Sequence, residues 1–255
     1  MDFVTKFNQF MDAIAYKENQ LLVVQGLWIT LKIAIVGLII GIVLGIIVGF
    51  IGAAQKNNWV TKVINKFCQC YVAVFRGTPI VVQLLVVYYV IPSVFGLKNI
   101  DSELVAIVVF GLNSGAYVSE IMRGGLNSVD PGQMEAGRSL GMSYSQTMLR
   151  IVIPQAIKNI LPTLGNEFIT LLKETSVVNM IGVFDICNSL LLVASTNYDK
   201  IIPYFFMAII YIILVLLISA LIKILEKSLG KSDRRTTSLV EKKTFFGLKI
   251  GGGKA

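Results

Sequence analysis

The chain contains no histidine and only three cysteines, Cys68, Cys70 and Cys187, among 255 residues. A histidine-based proton relay is thereby excluded. Cys-x-Cys without histidine is a poor metal site, so no metal and no cofactor are implied. The cysteines form no paired framework and read as small buried apolar residues. Charge is scarce as well, at 15% of residues against 55% hydrophobic, with a mean hydropathy of +0.74. That balance is far from a soluble domain's and predicts an integral membrane protein. A phosphate-binding loop is also missing: Gly230-Lys231-Ser232 has Leu225 where the motif needs Gly, and no strand precedes it. The chain therefore reads as having no nucleotide site of its own, and not as an enzyme. The first 20 residues carry three acidic side chains and no small-residue cleavage site, so they are not a cleaved signal peptide. The first apolar run itself serves as the insertion signal.

The net charge of +8 would suggest nucleic acid in a soluble protein. Here the basic residues fall in short loops and the tail, where the positive-inside rule accounts for them, and nucleic-acid binding is set aside. Residues 1–20 place Phe3, Phe7, Phe10, Met11 and Ile14 at spacings of three and four, a surface amphipathic helix touching membrane lipid. The segment 21–227 holds about five spans, near 21–52, 68–91, 103–121, a re-entry after Pro154, and 201–225. Loops at 53–67 and 123–158 and the tail at 228–255 are basic, which predicts the N-terminus outside and the C-terminus inside. The tail, with Lys231, Arg234, Arg235, Lys242, Lys243 and a terminal glycine run, reads as disordered. In the first span Gly37, Gly41, Gly45 and Gly49 recur every fourth residue, a seam for close helix packing. Lys32 reads as reaching the head groups.

Polar residues inside spans mark a pathway by default. Arg76 lies well inside the second apolar run and must face protein or water; binding backbone carbonyls freed by Pro79 is one reading, substrate contact another. Gln83 and Tyr117 are further candidates. After Pro154 and Pro162, which should prevent a straight helix, Asn166, Glu167, Thr170, Lys173, Glu174 and Thr175 form a polar face on an apolar helix. Internal pairing of Lys173 with Glu174 or Glu167 is the alternative. Asp185 and Asn188 belong to an outward segment with a small helix at 189–194 facing an exterior partner.

The segment 130–154 is a polar island. Asp130 followed by Pro131 reads as an N-cap and first helical residue, Gln133 stands at a capping-box position, and Gly141 ends the helix. At about 15 Å that helix is too short to cross a bilayer and is suited to meet a soluble partner.

Glu135-Ala136-Gly137, three residues, Gly141, nine residues, then Ile151-Val152-Ile153-Pro154 resembles the EAA loop of ABC importer permeases, with Gly for Ala at the third position and Ile for Leu near the end. Phe75-Arg76-Gly77-Thr78-Pro79, the run from Gly115 to Gly125, Leu161-Pro162 with Gly165-Asn166, and Lys173-Glu174-Thr175-Ser176 resemble the branch that carries polar amino acids. The resemblance covers roughly 20–228. It implies an all-α membrane protein whose cytoplasmic coupling helix, about 130–141, docks on separate ABC ATPase subunits through Glu135, Ala136, Gly137, Arg138 and Gly141. It further implies a second permease subunit, identical or related, and an extracytoplasmic solute-binding protein. The resemblance also implies a bacterial inner-membrane location and a polar amino acid as substrate; Thr175 and Ser176 are read as further pathway candidates. A secondary transporter driven by an ion gradient is the alternative, but internal repeats are not found. A non-transporting scaffold would have no use for an intramembrane polar stripe. A permease for another small polar solute also remains.

Overall fold

The computed structural model describes residues 2–53, 58–195 and 200–248, with Ala53 and residues 228–248 described by backbone alone. All regular structure among them is helical. In chain order the helices are α1 (Phe3–Ala15), α2 (Lys17–Ala53), α3 (Trp59–Gly77), α4 (Ile80–Leu85), α5 (Ile91–Phe95), α6 (Ser102–Asn127), α7 (Pro131–Ser139), α8 (Tyr144–Thr147), α9 (Ile153–Glu174), α10 (Ile186–Val193) and α11 (Ile201–Leu248). Residues 54–57 of the basic loop at 53–67 lie outside the described residues, as does the terminal glycine run. Three helices are long and apolar enough to cross a membrane, Lys17–Gly52, Ser102–Asn127 and Ile201–Lys227, and two bent pairs raise the number to as many as five.

The second span is not the straight run expected over 68–91. Trp59–Gly77 and Ile80–Phe95 meet at 106°. Thr78 is extended (φ −123°, ψ 143°), the conformation a following proline favours, and it closes α3. The next bent element starts at Tyr144 and runs to Ile181 before turning 55° into α10. Pro154 and Pro162 both lie within it, and the departure from a regular helix expected of them takes the form of a π turn and not of a break. A π turn, Met148–Val152, stands immediately before Pro154. The wider turn relieves the clash between the proline ring and the carbonyl four residues back. The same device, Val86–Val90, precedes Pro92.

The centre of the molecule is the α2–α6 seam, and the glycine repeat is its cause. An added Cβ would lie 3.1 Å from Phe110 at Gly37, 2.5 Å from Ser114 at Gly41 and 2.5 Å from Val118 at Gly45. α6 reciprocates: Gly111 faces Ile40 and Gly115 faces Leu44. Backbones this close gain dispersion contact that larger residues would forbid. Lys32 pairs with Glu103 at 2.7 Å across the same seam. α1 is more than a surface helix, because Phe10 is 4% exposed and its ring sits 5.1 Å from Phe206 of α11.

α10 begins earlier than expected. The Asp185 carboxylate accepts from the Asn188 N–H at 3.0 Å, and Ile186, Cys187, Ser189, Leu190 and Val193 are buried against α1, α2 and α11. One face of α10 is thus part of the core, while Leu192 remains exposed. Cys187 is buried as expected, Cys68 is half-buried, and Cys70 is exposed. The tail is a further correction: α11 continues as helix to Leu248. Residues 226–248 contain no proline and extend a helix already nucleated, so propagation costs little.

Candidate functional site

Two polar arrangements stand out, one at the α7 elbow and one on the faces of α6 and α9. α7 forms because Asp130 caps it, the carboxylate accepting from the Gly132 N–H at 2.8 Å, with Pro131 at the first position. Gln133 does not complete a capping box; its side-chain oxygen accepts from the Gln155 amide at 3.2 Å. The capping box belongs instead to α8, where Ser143 and Gln146 bond reciprocally. Gly141 ends the α7 turn at φ +82°, a left-handed conformation that glycine adopts without strain.

Of the five residues of the loop motif, Glu135, Ala136, Arg138 and Gly141 are exposed, and Gly137 is buried. A Cβ at Gly137 would lie 2.4 Å from the Thr147 methyl carbon. Thr147 is fully buried and donates to the Ser143 carbonyl at 3.0 Å. α7 is thus pressed onto α8 at a point where only glycine fits. Val129, Val152, Ala156 and Ile160, with Met134 packed on them, join α7 to the base of α9. The Asn159 amide donates to Ser128 Oγ at 2.8 Å and ties α9 to the end of α6.

Further along α6, Glu120 is held by two cations. Arg76 approaches it at 3.5 Å, and Arg123, one turn on, forms a shorter ion pair and hydrogen bond. The Arg76 guanidinium also lies 5.3 Å from the centre of the Tyr117 ring. Arg76 therefore does not serve the carbonyls freed at Pro79. That role falls to Gln83, whose amide donates to the carbonyls of Phe75 (2.9 Å) and Thr78 (3.0 Å), and to Asn113, which donates to Phe75 and to Gln83. With the Thr78 hydroxyl donating to the Val74 carbonyl at 2.8 Å, these bonds serve the carbonyls of Val74, Phe75 and Thr78 at the break.

Arg76, Tyr117, Glu120, Ser128, Asn159 and Thr163 line an open cavity of about 440 Å³. Asn159 and Thr163 were missed in the sequence, although they continue the 3–4 spacing of Asn166, Thr170 and Lys173 backwards by two turns. Asn166, Thr170 and Lys173 are exposed along α9, and Glu167 is half-buried beside Ser114 of α6. Thr175 is fully buried, donating to the Leu172 carbonyl at 2.7 Å and lying 3.4 Å from the Tyr211 hydroxyl. Ser176 donates to the Lys173 carbonyl. Of the sequence candidates, Arg76 and Tyr117 line the open cavity, Asn166, Thr170 and Lys173 are exposed on α9 outside its lining, and Gln83 and Thr175 are bonded internally. No group of three or more metal-ligating side chains occurs among the described residues.

The family model described as "Binding-protein-dependent transport system inner membrane component" matches residues 41–231. The putative glutamine transport system permease protein of Rickettsia felis is 38% identical over 216 residues, which cover 85% of this chain and 96% of that protein. The arginine transport system permease protein of Bacillus subtilis is 39% identical over 215 residues, 83% and 94% of the two chains. Among solved structures, an amino acid ABC transporter crystallised with histidines superposes with a TM-score of 0.77 at 39% identity, over 83% of this chain and 95% of that one. An inward-facing methionine ABC transporter has the same fold, with a TM-score of 0.67 at 17% identity over 84% and 99%.

Proposed function

This chain belongs to the family of binding-protein-dependent transport system inner membrane components, and from that premise we propose that it carries a polar amino acid across the membrane. It is a multi-pass permease subunit of an ABC importer, and the ATPase is a separate partner. The substrate class rests on relatives whose names specify glutamine and arginine. The finer partnership, two permease subunits, identical or related, fed by an extracytoplasmic binding protein, belongs to the same reading.

The observation that carries the mechanism is the seat of α7. Its exposed face, Glu135, Ala136 and Arg138, is free to meet an ATPase, while its buried face is locked to α8 at Gly137 and to α9 through Met134. Closure of the ATPase pair displaces α7 as a rigid piece. The displacement passes to α6 and α9, the two helices that carry the polar faces, because packed helices switch between discrete arrangements. Between these faces a zwitterion finds Arg76 or Lys173 for its carboxylate and Glu167 for its ammonium, with Tyr117, Asn166 and Thr170 along the wall. Gln83 and Thr175 hold those helices in place, and Ser176 stands at the far end.

The test is ATP-dependent uptake of labelled glutamine and arginine into proteoliposomes holding the complete transporter, wild type against Gly141→Asp. Uptake that needs ATP and is lost in a folded mutant supports the reading. Uptake that proceeds without ATP, or ignores the mutation, removes it in favour of a secondary transporter. Unchanged uptake in Glu167→Gln would end the carboxylate role alone.

A further inference from the structure

A second cavity, of about 400 Å³, lies between α2, α3 and α6 at the end of the bundle that leads into α7. Its volume falls in the range of about 300–1,000 Å³ typical of small-molecule sites. It is separate from the open cavity beside α9 and shares with it only Glu120. Asn65 of α3 lines it, 4% exposed, with its amide nitrogen bonded to nothing among the described residues. A buried amide donor without an acceptor is destabilising, and native structures rarely keep one. The position calls for an acceptor oxygen.

The local charge says what kind of acceptor. Among the described residues Glu120 is the one carboxylate lining the cavity, and it is held by two guanidiniums, Arg76 and Arg123, which leaves one positive charge uncompensated. Lys62 and Lys66, exposed on α3 beside Asn65, add to it. Gln69 supplies a further amide, while Val48 and Val72 provide an apolar wall. A buried donor, a net cation and apolar surface lining one cavity fit a carboxylate attached to a short carbon chain.

We propose that this cavity binds a free amino acid from the α7 side of the membrane, its carboxylate held by Asn65 and Arg123. The inference rests on the function proposed above, since that reading makes the α7 side the one on which imported solute accumulates. A ligand lodged there bridges α3 to α6 and opposes their relative movement. Import is then slowed by its own product.

Proteoliposomes holding the complete transporter, α7 side inward, are preloaded with unlabelled L-glutamine or L-arginine, and the initial rate of ATP-driven uptake is compared with unloaded vesicles. In wild type the preload slows uptake severalfold. Asn65→Leu fills the space and removes the donor; Ala73→Leu fills it and keeps the donor. Each is read as its own loaded-to-unloaded ratio, which returns to near one. In parallel, thermal shift of the detergent-purified complex without binding protein gives at least about tenfold weaker affinity in Asn65→Leu, the loss expected for one hydrogen bond to a charged group. Should uptake be ATP-dependent while the preload acts equally on wild type and both variants, this inference falls and the importer reading stands. Absence of ATP-dependent uptake in wild type would overturn both.

Discussion

Replacing Gly137 by alanine restores the residue usual at that position of the family's loop, yet it should damage this protein. The new Cβ would stand 2.4 Å from the Thr147 methyl carbon and 2.9 Å from its hydroxyl. Thr147 cannot turn aside freely, because it is β-branched, fully buried and bonded to the Ser143 carbonyl. Overpacking of this kind costs about 1–3 kcal/mol, and a contact this short belongs at the upper end. Alanine returns up to about 1 kcal/mol in helix propensity, so the net loss is about 1–2 kcal/mol. Thr147→Ala alone loses a hydrogen bond worth about 1 kcal/mol. The pair should be better than the sum, since the nearest remaining atom, the residue 147 Cβ, is 3.2 Å away. The assay is a double-mutant cycle on thermal unfolding of the purified complex, with transport-coupled ATP hydrolysis measured alongside. Gly137→Ala should uncouple hydrolysis from uptake and Thr147→Ala should restore it. A neutral Gly137→Ala, or additive effects, would refute the reasoning.

Three other outcomes follow from the packing and the polar contacts. Gly41→Leu drives a side chain into Ser114, already 2.5 Å from a bare Cβ; the complex should lose several degrees of thermal stability or fail to assemble, as size-exclusion chromatography would show. Gln83→Leu strips the amide from the Phe75 and Thr78 carbonyls and from Asn113, a loss of about 2–3 kcal/mol in unfolding experiments. Glu120→Gln removes the charge between Arg76 and Arg123, leaving like charges unscreened; basal ATP hydrolysis should change while thermal stability falls by less than for Gln83→Leu.

Much of the candidate site was legible because it obeys local rules. Asp130, Pro131 and Gly141 announce α7 through capping and a left-handed turn, which depend on a few consecutive residues. The fourfold glycine spacing of α2 disclosed a packing face by the same helical geometry. Other features were visible but outvoted. Thr78-Pro79 signals a break, yet the unbroken apolar run around it reads as one span. Residues 226–248 are polar enough to suggest disorder, and the run says nothing of a helix arriving from the membrane to be continued.

Composition, periodicity and the spacing of one loop motif settle that this chain is a helical membrane protein and which family it joins, because those signals repeat along the chain itself. They do not reveal partners. That Lys32 meets Glu103, that Arg76 meets Glu120 and not the freed carbonyls, and that Gln83 rather than Arg76 serves the break were decided by tertiary structure alone. Each depends on which helix lies alongside, and a buried or half-buried polar group takes whatever complementary atom that neighbour brings within about 3 Å.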